Sequence, residues 1–91
     1  MSLTVYVSSV SSSTELKKHQ QKILMVLDGK NIPYNVADIS SSEEAKTEMK
    51  HAAGIDAHPP QIVKDGIYCG DYFAFDEAVE SDELNEFLKL S

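Results

Sequence analysis

The chain has 91 residues, enough for one small hydrophobic core but not a second, because compact domains typically take about 100–150 residues. With 42% hydrophobic and 25% charged residues it is not a disordered chain, and its longest apolar run, residues 23–27, falls far short of the ~20 residues that a bilayer span needs. Fifteen acids face eight lysines and no arginine, a net charge of −7, so neither nucleic acid nor a membrane is expected as a partner.

Residues 3–7, Leu-Thr-Val-Tyr-Val, are β-branched and aromatic and read as a strand covered on both faces. A serine-rich loop then leads into a helix start, where Ser12 and Glu15 have capping-box form. Leu16, Ile23, Val26 and Leu27 make one stripe at helical spacing, which predicts a helix over 14–28 ended by Gly29 in the left-handed conformation. After the break at Pro33, residues 33–39 read as a second strand, and strand, helix and strand this closely spaced form a βαβ unit with parallel strands. The serines at 40–42 followed by Glu43 and Glu44 offer the N-cap of a lightly packed helix, with Ala45, Met49 and Ala52 as its stripe and Gly54 as its end. Residues 61–64 and 67–69 flank Asp65-Gly66, a hairpin turn signal. Gly70-Asp71 then breaks the strand, and residues 72–80 and 82–90 read as helices, with Ser81 capping the second and Leu84, Phe87 and Leu88 facing inward.

The expected fold is therefore a single α/β domain over 1–91, βαβαββα, with a mixed four-stranded sheet and helices on both faces. This order, with Pro60 directly before the third strand and Cys69-Gly-Asp71 after the fourth, resembles the thioredoxin fold in its glutaredoxin version. More specifically, Leu27-Asp-Gly-Lys30, Asp38-Ile-Ser40, Pro59-Pro-Gln-Ile-Val63, Tyr68-Cys-Gly-Asp-Tyr72 and Glu86-Phe-Leu-Lys-Leu90 look like the small SH3-domain-binding glutamic-acid-rich-like proteins. The resemblance is to a short member, since longer ones carry acidic tails. It implies a glutaredoxin relative without the redox cysteines, cytosolic or nuclear, that modulates glutaredoxin activity or serves as an adaptor for other proteins.

In a glutaredoxin a Cys-Pro-Tyr-Cys motif stands between strand one and helix one, where the helix end stabilises a thiolate. Here that stretch holds Ser11, Ser12 and Ser13, whose hydroxyls neither ionise appreciably nor form mixed disulfides, so dithiol exchange is not expected. These serines are expected to cap the helix or to form a polar rim. The single cysteine, Cys69, excludes an intramolecular disulfide and fits a reducing compartment. It reads as a small core residue whose pKa is raised by Asp65 and Asp71. The alternative is a glutathione-handling enzyme, monothiol or transferase-like, that uses Cys69 or Ser12.

The resemblance further implies that Pro60 follows a cis bond and that the residue before it offers backbone N–H and C=O to glutathione. That residue is Pro59, which has no N–H, and the segment expected to hold the γ-glutamyl end reads Cys69-Gly-Asp-Tyr-Phe73. No cofactor is expected, and glutathione binding is millimolar or weaker. The groove residues expected to bind are Ser11, Ser12, Ser13, Pro59, Pro60, Gly70, Asp71 and Tyr72, with proteins as ligands and a monomeric chain. Direct SH3 binding is not expected, because Ala57 and Asp56 stand where a PxxP motif requires proline. His19, His51 and His58 lack metal spacing and read as polar surface, and the acidic stretch 76–86 lacks the pattern of a calcium loop. Tyr68, Tyr72, Phe73 and Phe75 are too dense for all to be buried, and one or two are expected to be exposed beside the groove as a protein-binding surface.

Overall fold

The computed structural model describes residues 3–10 and 13–90. Its elements are β1 (Leu3–Val7), α1 (Thr14–Gly29), β2 (Asn35–Asp38), α2 (Glu43–Ala53), β3 (Gln61–Lys64), β4 (Ile67–Asp71), α3 (Tyr72–Glu80) and α4 (Leu84–Phe87). The sheet order is β2-β1-β3-β4, with β1 parallel to β2 and antiparallel to β3, and β3 antiparallel to β4. The thioredoxin-like arrangement with its mixed four-stranded sheet is therefore the fold of this chain.

Alternation along β1 divides the core in two, because successive side chains of a strand point to opposite faces. Leu3, Val5 and Val7 join Ile23, Leu27, Ile62, Phe75, Leu84 and Leu88 on the side of α1, α3 and α4. Tyr6 instead joins Ala45, Met49 and Val63 on the side of α2, with Ala52 against them. Both faces of β1 are covered, as its composition predicts.

Several boundaries differ from the sequence reading, each for a local reason. The cap of α1 is Ser13, whose hydroxyl accepts from the Leu16 N–H at 3.2 Å, whereas the expected cap Ser12 lies outside the described residues. Gly29 is the last helical residue; Asn31, at φ 57°, takes the left-handed position, with its N–H on the Asp28 carbonyl and that of Ile32 on Leu27. This is a Schellman ending made with asparagine, which tolerates positive φ. β2 is shorter than residues 33–39, and Ser42 caps α2 by accepting from the Ala45 N–H.

β4 runs on through Gly70 to Asp71, where a break was expected. The register slips between Ile62 and Val63, which pair with Gly70 and Tyr68, so Cys69 is the extra residue of a bulge. A bulge lets the strand absorb an irregular residue and resume pairing. Gly70 is required there: its φ is +156°, and a Cβ would stand 2.7 Å from Cε1 of Phe87. The last helix shrinks from 82–90 to Leu84–Phe87, because Asp82 and Lys89 both take positive φ. Ser81 does not cap that helix; its hydroxyl donates to the Glu77 carbonyl and closes α3. Leu84 and Leu88 are nevertheless buried and Phe87 packs against the core, as the apolar pattern predicts.

Candidate functional site

At the end of the sheet where β1 and β4 finish and β3 begins, the chain leaves a groove of about 440 Å³. One wall is the first turn and a half of α1, with Ser13, Glu15, Leu16 and His19. The floor and far wall are the loop from Asp56 to Pro60, while Asp71, Tyr72 and Phe73 close the third side at the junction of β4 and α3. The Pro59–Pro60 peptide bond is cis.

The backbone around this groove is held by side chains. Gln61 donates its amide to the His58 carbonyl at 2.8 Å and accepts from the Tyr68 hydroxyl at 2.7 Å, which ties the proline loop to β4. Gln20, buried on α1, accepts from the Ser8 N–H at 2.9 Å and donates back to the Ser8 carbonyl, so its amide continues the end of β1 as another peptide would. Asp38 at the end of β2 accepts from the hydroxyls and N–H groups of Ser9 and Ser40. These bonds, with the Ser40 hydroxyl foremost, hold its carboxyl well below the usual carboxylate range. Asp71 accepts from the Ala74 N–H at 3.0 Å and caps α3. A rim tied down in this way is pre-organised, which lowers the ordering cost of binding.

The apolar surface of the groove is aromatic. The ring of His19 stacks on Tyr72 at 3.8 Å and 4°, and Phe73 meets both rings edge-on at 5.6 Å. Phe73 is 68% exposed, whereas Phe75, two residues on, is fully buried. Lys22 Nζ lies 6.0 Å from the Tyr72 centroid and 2.6 Å from Asp76 Oδ1. The expectation that one or two aromatics stand beside the groove thus falls on Tyr72 and Phe73.

Of the residues singled out in the sequence, the fold brings Ser13, Pro59, Pro60, Asp71 and Tyr72 together along this groove. Ser11 and Ser12 lie outside the described residues. Gly70 does not line the groove; its bare α-carbon gives space to Phe87. Cys69 is also elsewhere, half-buried against the α1/α3 core. Its thiol is pushed above its ordinary value, but burial does this, and the charges of Lys89 and Lys64 pull the other way. Asp65 and Asp71 are not the cause. Sequence reasoning missed His19, which it placed among surface polar residues, and the groove carboxylates of Glu15 and Asp56. Among the described residues, no group of three His, Cys, Asp or Glu could hold a metal ion.

Comparison with known proteins agrees with this architecture. The C. albicans actin interacting protein Aip5 superposes with a TM-score of 0.80 at 20% identity, covering 99% of this chain and 90% of that one. Glutaredoxin C1 from Populus tremula x tremuloides superposes at 0.70 with 14% identity, covering 96% and 82%. In sequence, the SH3 domain-binding glutamic acid-rich protein homolog of Drosophila melanogaster is 43% identical over 104 residues; the match takes in all of this chain and 66% of the relative's length. A family model for the SH3-binding, glutamic acid-rich protein matches residues 1–91. The chain belongs to the SH3-binding, glutamic acid-rich protein family, built on a glutaredoxin-like fold.

Proposed function

We propose that this chain is a non-catalytic glutaredoxin-like protein that uses its groove to bind other proteins, as an adaptor or as a modulator of glutaredoxin activity. The observation that carries this reading is an open groove with an aromatic wall and no thiol: the chain's single cysteine, Cys69, packs on the core instead. A raised pKa leaves Cys69 mostly protonated near neutrality, and the thiol form is a poor nucleophile. Pro59, at the position from which glutathione would take a backbone hydrogen bond, has no N–H to give.

A polypeptide is a better match for what is left. The exposed Phe73 ring and Pro59 supply apolar contact, and Ser13, Glu15, Asp56 and Asp71 supply polar contact. The names of the relatives, one an actin interacting protein and the other an SH3 domain-binding homolog, also describe protein binders. An SH3 domain is not the partner this groove fits, because the chain has no PxxP motif and Pro60 is buried. A cytosolic or nuclear location accords with this role.

A photo-reactive phenylalanine analogue tests the site. Placed at Phe73 it is expected to form adducts with proteins in cells, and placed at Ile67, exposed at the opposite end of β4, it is expected to form none. Equal labelling from both positions, or labelling at Phe73 erased by millimolar glutathione, contradicts the proposal.

A further inference from the structure

The sign of the charge around the groove narrows the class of partner. Three carboxylates line it, those of Glu15, Asp56 and Asp71, and among the described residues no lysine lines it. Lys46 and Lys50 line an adjoining depression that shares Asp56, Ala57, His58 and Pro59 with the groove but opens on the α2 side of that loop, and Lys22 is engaged by Asp76. Helix N-termini ordinarily favour anions. Here the two that meet at the groove already have acceptors, the Ser13 hydroxyl on α1 and the Asp71 carboxylate on α3. An anionic ligand would therefore meet repulsion from three sides and find both helix ends capped.

A cation meets the opposite situation. The face of an aromatic ring attracts an ammonium or guanidinium group within about 6 Å, with roughly 0.5–1 kcal/mol at exposed sites and more where water is excluded. The molecule already uses this contact internally, with Lys22 over Tyr72. Phe73 offers an exposed ring beside the carboxylates, and among the described residues no lysine lies over it.

Resting on the reading of the groove as a protein-binding site, we propose that its ligand is an extended basic segment of a partner protein, with a lysine or arginine side chain against Phe73 in the field of Glu15, Asp56 and Asp71. The surplus negative charge of the whole chain, −7, steers such a segment toward the surface, and the aromatic corner and carboxylates select it once there.

Amide-shift titration of the intact chain with three peptides of equal length, alternating serine with arginine, with glutamine or with glutamate, decides the matter. The arginine peptide is expected to shift the amides of Glu15, His19, Ala57, Tyr72 and Phe73, to bind at least tenfold more tightly than the glutamine peptide, and to weaken as salt is raised. The glutamate peptide is expected to leave those amides unmoved. Phe73→Ala and the pair Glu15→Gln with Asp56→Asn replace exposed side chains, and each is expected to weaken the arginine peptide about tenfold, or ~1.4 kcal/mol. Groove shifts of equal strength from the glutamine or glutamate peptide overturn the preference for cations and leave the protein-binding reading intact. Binding of the arginine peptide that is unchanged in the Phe73→Ala protein overturns the place assigned to the cation. Failure of all three peptides to move any groove amide overturns both readings.

Discussion

The two ends of the sheet are built from the same four strands and finish differently. At the hairpin end, Asp65 and Gly66 both take positive φ in a tight two-residue turn, and the buried ammonium of Lys64 donates to the Lys89 carbonyl at 3.1 Å beyond α4. Charge and carbonyl there satisfy each other within the fold. At the other end the backbone is equally well tied, by Gln20, Asp38, Gln61 and Asp71, yet the side chains it presents include an exposed phenylalanine, a partly exposed His19–Tyr72 stack and the exposed carboxylates of Glu15 and Asp56. A rigid backbone that presents exposed aromatic and acidic side chains is what a binding site requires, whereas a turn requires only that its own polar groups be satisfied.

The contrast predicts where substitutions are felt in stability and where they are felt only in binding. The largest effect belongs to the core beneath both ends: Phe75→Ala, which empties a fully buried site, is expected to cost about 3–5 kcal/mol in urea unfolding. Gly70→Ala, which drives a methyl into the Phe87 ring, is expected to cost about 1–3 kcal/mol without touching the groove wall. Asp38→Asn tests the tie beneath the open end through its pH dependence. A carboxyl held below its ordinary pKa in the folded state stabilises at pH above its unfolded value of ~3.9, and that contribution disappears as pH falls through the lower folded value. The stability gap between wild type and variant is therefore expected to be constant near neutrality and to close under acid; a gap that widens there breaks this account of Asp38. Smallest in stability is Phe73→Ala, expected to unfold within about 0.5 kcal/mol of wild type because its ring is exposed, while binding of the basic peptide at the groove weakens about tenfold. A large loss of stability in that variant would show that the Phe73 ring, too, is used to hold the fold.

Much of this was legible in the sequence because local signals coincide with tertiary ones. The β-branched run of β1, the Asp65-Gly66 turn and the stripe of α2 each predict a feature that the fold adopts. What escaped depends on contacts between distant segments. Asn31 replaces Gly29 as the left-handed terminator because the helix runs one residue further than the glycine suggests. β4 continues past Cys69 because pairing with β3 resumes after the bulge, which no property of Cys69 or Gly70 alone announces. The groove was legible in its proline loop and in Ser13 and Tyr72, but not in His19. One signal was available: the stripe from Leu16 to Ile23 on α1 is interrupted by His19 and Gln20, two polar residues at core-facing positions. Gln20 turns inward to hold Ser8 and His19 turns toward Tyr72, so that gap in the apolar pattern marks the support and the wall of the site.

The claim on which the account rests is that the groove has kept its shape and lost its sulfur chemistry. Glutathione-dependent reduction of a mixed-disulfide substrate by the purified chain tests this most directly, with the Cys69→Ser variant alongside. The account predicts turnover at the uncatalysed background for both proteins. Brisk turnover by the wild type that vanishes in the variant would contradict it, and would make Cys69 a working nucleophile.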